Sequence, residues 1–168
     1  MSRILYLVRH ATAENPSAFQ RDHDRELTPE GIMESARMGR YLANQHAKPD
    51  HVVSSTAARA IKTAQIMAEQ LCIDPDRIEP IDNLFDGGPR AYLAAVNSVL
   101  ADYESLMLVG HNPDISYFAE FLTHQAVASM EKGEVIAVNF ENLTWAEISG
   151  RTGTILFQKA PNKVISGE

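Results

Sequence analysis

Four short apolar runs, each followed by a stretch of different periodicity, constrain this chain more than anything else in it. Ile4-Leu5-Tyr6-Leu7-Val8 is continuous and rich in strand formers, the pattern of a strand buried on both faces. His51-Val52-Val53-Ser54 and Leu106-Met107-Leu108-Val109 repeat it. Arg77-Ile78-Glu79-Pro80-Ile81 is a weaker third strand, and its proline suits a sheet edge. Thr28-Pro29-Glu30-Gly31 opens a helix: Thr28 caps, Pro29 takes the first position and Glu30 favours the positive end. Ile32, Ala36, Gly39 and Ala43 follow at helical spacing. Ser55 or Thr56 is expected to cap a second helix that buries Ala60, Ile61, Ala64, Met67, Ala68 and Leu71. Gly87-Gly88-Pro89 precedes a helix over about residues 90–100. Asn112 is expected to cap another, with Pro113 at its first position and Ile115, Phe118, Ala119 and Leu122 facing inward. Strands alternating with helices imply a three-layer α/β sandwich: a mostly parallel sheet with helices on both faces. Residues 135–140, 144–148 and 154–157 read as further strands, which would add an antiparallel edge.

The chain has 168 residues, the size of one ordinary domain. We place that domain at residues 1–160 and expect residues 161–168 to be a frayed tail. The net charge of −7 disfavours nucleic acid as a partner. No apolar stretch is long enough to span a membrane, and the N-terminal run is too short for a signal peptide. The single cysteine, Cys72, excludes an intramolecular disulfide and suits a reducing compartment, so a cytoplasmic location is expected. Cys72 lies at an apolar helix end, where packing is its expected role. His46 reads as a cation near a helix C-terminus. The histidines make no metal-ligand spacing, so no metal is expected.

In an open parallel sheet the C-terminal ends of the strands share one edge, where ligand crevices form. Arg9 and His10 follow the first strand, Arg59 begins the helix after the second, and His111 follows the fourth. Topology alone therefore predicts that they converge. Arg59 in the first turn of a helix opposes the helix dipole, unless an anion sits between the guanidinium and the helix start. Two arginines, two histidines and two helix starts suit a dianion such as a phosphoryl group, which arginine grips with parallel hydrogen bonds. Residues 11–27 carry no clear period, and a loop of that length is usually functional or mobile. Arg25 lies within it, beside the end of the first strand.

These segments resemble the histidine phosphatase superfamily. Leu7-Val8-Arg9-His10-Ala11 is similar to its nucleophile motif, with Ala11 in place of the usual glycine. Ser54-Ser55-Thr56-Ala57-Ala58-Arg59-Ala60-Ile61-Lys62-Thr63-Ala64 resembles the second motif, and Leu108-Val109-Gly110-His111-Asn112-Pro113 the third. The short chain and Asp24-Arg25-Glu26-Leu27-Thr28-Pro29-Glu30-Gly31 are similar to the small SixA-type phosphohistidine phosphatase branch. The resemblance implies a phosphoglycerate mutase-like fold. It implies that His10 attacks phosphorus and carries the phosphoryl group, that Arg9, Arg25, Arg59 and His111 bind the phosphoryl oxygens, and that no cofactor is needed. The expected partner is a phosphate-bearing substrate, most readily phosphohistidine in a protein.

Larger members of the family supply a general acid after the third strand. Here Asn83 takes that position, with Asp82 and Asp86 as possible acids nearby. A missing acid would suit protonated phosphohistidine, whose P–N bond breaks without an alkoxide leaving. A broad small-molecule phosphomonoesterase using Asp82 or Asp86 is the alternative. A phosphate- or phosphoprotein-binding module without turnover is another, which the intact His10 argues against.

Overall fold

The computed structural model describes every residue, Met1–Glu168. Six strands form one sheet in the order β3-β2-β4-β1-β5-β6. Strands β1 (Ser2–Arg9), β2 (His51–Ser55), β3 (Glu79–Ile81) and β4 (Ser105–Gly110) run parallel. Strands β5 (Val135–Glu141) and β6 (Thr154–Lys159) complete the sheet as an antiparallel edge beside β1. The proline-bearing β3 lies at the opposite edge, as expected.

The central strands read as continuous apolar runs because both of their faces are covered. Leu5, Leu7, Leu106 and Leu108 face one core with Tyr92, Val96, Ile115, Phe118 and Leu122. Tyr6, Val8, Met107 and Val109 face the other with Met38, Leu42, Ala60, Ala64 and Met67. The alternation along each strand thus assigns helices α1 (Pro29–Asn44) and α2 (Ala58–Gln70) to one face. Helices α4 (Gly88–Asn97) and α5 (Asp114–Thr123) cover the other; a single turn, α3 (Asn83–Asp86), precedes α4. At about 25 cal/mol per Å² of apolar surface, these two faces supply the main folding drive.

Helix α1 begins as the sequence indicates, with the Thr28 hydroxyl accepting the Gly31 N–H at 3.1 Å. Its inward face is Met38, Tyr41 and Leu42, however, and Ile32 is exposed. Helix α2 lacks the expected side-chain cap: Ala57 is the capping residue, and Ser55 instead accepts the Ala57 N–H and turns toward His111. The α5 start also differs. Pro113 precedes the first helical residue, and Asn112 directs its amide to Ser129 and Met130 rather than capping.

Residues 144–148 do not form a strand. Thr144 and Glu147 make a capping box around a 3₁₀ turn, Trp145–Glu147, that seats the Trp145 ring in the core. The last residues are docked rather than frayed: Pro161 is buried, and the Lys159 ammonium and Asn44 amide both hold Glu168. Cys72 is exposed and left-handed, turning the chain out of α2, so it does not pack. His46 has the same conformation just beyond α1 and is exposed. No helix is long and apolar enough to cross a membrane.

Candidate active site

The parallel pairing of β1 with β4 sets the site. Arg9 pairs with Gly110, and the His10 N–H donates to the Gly110 carbonyl at 3.0 Å. His10 and His111 therefore leave adjacent strands at the same level, with ring centroids 5.1 Å apart. Arg59, in the first turn of the helix after β2, joins them, and the loop after β1 folds back to bring Asp22 and Arg25. The resulting cavity, about 490 Å³, is lined by Arg9, His10, Arg25, Arg59 and His111, with Glu14, Asp22, Phe85 and Lys132 completing its walls. Four cationic side chains thus face two carboxylates.

His10 is 7% exposed, and its Nδ1 lies 2.7 Å from the Ala11 carbonyl. A carbonyl only accepts, so Nδ1 carries the proton and Nε2 keeps its lone pair. Burial, with the charges of Arg59, Arg9 and Arg25, pushes the imidazole down to about 4, against the raising effect of the Ala11 bond. Ala11 itself is fully buried, and its N–H donates to Thr63 Oγ1. A small residue there is sufficient for this packing.

His111 is held at both ends. Its backbone N–H donates to the Tyr92 hydroxyl at 2.9 Å, and Tyr92 donates onward to the Leu84 carbonyl. Its Nε2 lies 2.8 Å from Ser55 Oγ, which already accepts the Ala57 N–H. Ser55 Oγ can donate to Nε2 or accept from it on its second lone pair, so this contact fixes the ring in place for either tautomer. Burial, then His10 and Arg59, push His111 down to about 3. Both imidazoles are neutral at pH 7.

The arginines are partly used. Arg9 donates to the Met130 carbonyl at 2.7 Å; burial lowers its pKa, and buried Glu134 opposes that. Arg59, 4% exposed, donates to the Asp22 carbonyl and carboxylate. Arg25 donates to the other Asp22 oxygen at 2.8 Å. The Nε atoms of Arg9 and Arg59 are buried without any partner. Buried donors of this kind are normally satisfied, and the Arg3 Nε, away from the site, is unpartnered in the same way.

Asp82 and Asp86 do not line this cavity, and Asp86 is exposed. Between them, Phe85 presents its ring to His111 at 5.4 Å and to the Arg59 guanidinium at 5.7 Å. Asn83 faces a separate groove with Ile81 and Ala91. The one-turn helix α3 explains this: its single inward-facing aromatic excludes the flanking carboxylates. Sequence reasoning missed Asp22, Ser55, Phe85, Tyr92 and Lys132 as parts of the site. It also assigned no role to the segment after α5, which returns so that the Gly133 N–H donates to the Arg9 and His10 carbonyls. Only the Asp22-x-x-Arg25 spacing carried a signal, as a salt-bridging pair. No group of three His, Cys, Asp or Glu side chains is placed to hold a metal ion.

The neutral histidines have a consequence for stability. In the unfolded chain each takes up a proton near pH 6.5. In the fold they resist protonation down to about 4 and about 3. The unfolded state therefore binds more protons in that interval, and folding stability falls as pH drops from about 6.5 toward 4. Urea unfolding between about pH 8 and pH 4 is expected to show this decline, and His10→Gln, which cannot take up the proton, is expected to show less of it. Identical slopes for the two proteins would contradict the buried neutral state of His10.

Residues 5–84 match the model of the histidine phosphatase superfamily, branch 1. An uncharacterised protein of Mycobacterium tuberculosis is 31% identical over 133 residues, covering 79% of this chain and 80% of the relative. A solved structure from Nakamurella multipartitia, described as the phosphohistidine phosphatase SixA, superposes with a TM-score of 0.80 at 28% identity, over 96% of this chain and 97% of that one. Its counterpart from Agrobacterium tumefaciens gives 0.81 at 25% identity, over 95% and 98%. The chain belongs to the histidine phosphatase superfamily. Within it the chain falls in the SixA-type branch, and it is a hydrolase acting on a phosphate-bearing substrate.

Proposed function

We propose that this phosphatase hydrolyses phosphohistidine carried on a protein, through a phosphoryl group held transiently on His10. The observation that carries the reading is the hydrogen bond from His10 Nδ1 to the Ala11 carbonyl, which leaves Nε2 unprotonated in a cavity of cations. Nε2 attacks phosphorus, an N–P bond forms, and the P–N bond of the substrate breaks. The leaving imidazole departs neutral if its other nitrogen carries a proton, so no protein acid is required. Water then attacks phosphorus, releases inorganic phosphate and restores the Nε2 lone pair. Arg9, Arg25, Arg59 and His111 would hold the equatorial oxygens, where charge is spread in the transition state.

The substrate class rests on what the wall after β3 presents. Phe85 stands there, and Asp82 and Asp86 are outside the cavity. Of the two carboxylates inside, Glu14 accepts the Glu26 N–H, and Asp22 is committed to two arginines. Asp22, held ionised by its two arginines, is a poor proton donor to an alkoxide. Location in the cytoplasm, as the lone free cysteine suggests, would give access to cytoplasmic proteins bearing such a group.

The test is a comparison of kcat/KM on a phosphohistidine protein, an aryl phosphate and a sugar phosphate. The phosphohistidine protein is expected to lead the sugar phosphate by about a hundredfold or more, roughly 3 kcal/mol of transition-state preference. Asp82→Asn and Asp86→Asn are expected to leave all three rates unchanged. A sugar phosphate turned over fastest, with the rate lost in either variant, would replace this reading by a small-molecule phosphomonoesterase.

A further inference from the structure

Asp22 is the one acidic side chain that grips two of the phosphate-facing arginines. Its Oδ1 accepts Arg25 Nε at 2.8 Å, its Oδ2 accepts an Arg59 terminal nitrogen at 3.0 Å, and its backbone carbonyl accepts the other at 2.6 Å. It sits on a 3₁₀ turn, Asp22–Asp24, and its side chain is 52% exposed whereas that of Arg59 is 5% exposed. A carboxylate in a phosphate site could compete with the substrate or could set the arginines for it. The two differ in what loss of the carboxylate does to kcat and to phosphate binding.

A guanidinium offers two edges for paired hydrogen bonds: the end, made by its two terminal nitrogens, and the side, made by Nε and one terminal nitrogen. Asp22 takes the end of Arg59 with its own carbonyl and carboxylate. Arg59 Nε is buried and has no partner. The hold of Asp22 on the end edge is what fixes the rotation of the guanidinium plane. We propose that Asp22 is a positioning residue for phosphoryl transfer: by clamping the end of Arg59 and the Nε of Arg25, it fixes both guanidinium planes at the wall of the phosphoryl site.

The clamp solves a problem that the fold creates. Arg59 lies in the first turn of α2, where the helix dipole disfavours a cation. Asp22 supplies the compensating anion from a different segment. Burial raises the Asp22 carboxyl, but the bond from Arg25 and the charge of Arg59 outweigh it, so the group stays ionised well below neutral pH. The clamp is therefore permanent under ordinary conditions.

This inference rests on the phosphatase reading, and the experiment separates the two. Aryl phosphate turnover and inhibition by inorganic phosphate are measured for the wild type, Asp22→Asn, Asp22→Ala and Asp24→Asn. Asp24 shares the same turn but pairs with exposed Arg21, so its variant reports general disturbance of the loop. We expect kcat to fall about tenfold in Asp22→Asn and about a hundredfold in Asp22→Ala, the scale of a misaimed oxyanion donor. KM and phosphate inhibition are expected to move much less, and Asp24→Asn to match the wild type. A loop that merely folds over the site would raise KM and spare kcat. Unchanged kcat in Asp22→Asn, or tighter phosphate inhibition in it, overturns the proposal, the latter by making Asp22 a competitor. A wild type that binds phosphate but releases it from no substrate defeats the phosphatase reading instead. Weaker phosphate binding in Asp22→Asn would then still support the clamp, and unchanged binding would end it.

Discussion

His10→Ala is expected to lose essentially all phosphate release, about 10⁴-fold or more, while retaining its fold. The size follows from the role: the bond to the Ala11 carbonyl fixes the His10 tautomer and leaves the lone pair of its other nitrogen for the attack. The His111 Nε2 is occupied by Ser55. The fold should survive because the ring's polar contact is to the neighbouring carbonyl rather than to a distant element. The loss of a 7%-exposed ring leaves a void beside His111, which costs stability modestly but at a polar site open to water. A rapid-quench trap provides the decisive readout. Wild type should carry an acid-labile, base-stable phosphoryl label and His10→Ala none. Label on the variant would move the nucleophile elsewhere.

Arg59→Ala is expected to weaken phosphate inhibition and to reduce kcat by about 10²- to 10³-fold, as for loss of a preorganised donor to a developing oxyanion. The sign of its stability effect is set by the structure. From the sequence, a cation in the first turn of a helix invites the expectation that alanine relieves strain. Arg59 is buried, ion-paired to Asp22 and packed over Phe85, so its removal strands the Asp22 carbonyl and opens space against an aromatic ring. The variant is expected to be less stable than wild type by about 1–3 kcal/mol, the cost of leaving such groups unmatched. A melting temperature above that of wild type would show that the dipole effect outweighs the pair.

The layers of this fold are legible in the sequence because each central strand shows both of its faces as apolar. The convergence of residues 9, 10, 59 and 111 follows from parallel topology, which needs no atomic detail. What escaped was set by contacts between distant segments. Ser55 could equally cap a helix or hold a histidine, and only the position of His111 decides. Trp145 belongs to a strand-like run of β formers, yet the capping box around it closes a 3₁₀ turn, and the Trp145 indole N–H then reaches the Tyr103 carbonyl. Asp82 and Asp86 occupy plausible positions along the chain, but a single helical turn between them presents Phe85 instead. The register of a short helix of this kind is not visible as a period.

The pairing of β1 with β4 has a consequence beyond the site it builds. Side chains on a strand alternate between faces, so a slip of one residue would exchange the two cores and send His10 to a new partner. Nothing in the cavity opposes such a slip. The opposition comes from Leu5 and Leu7 on one side and Tyr6 and Val8 on the other, each fitted to a different pair of helices. The alignment of the two imidazoles is thus encoded in hydrocarbon several residues away, on both sides of the sheet. For this protein, the tolerance of catalysis to mutation is governed by the bilayered core as much as by the charged groups it displays.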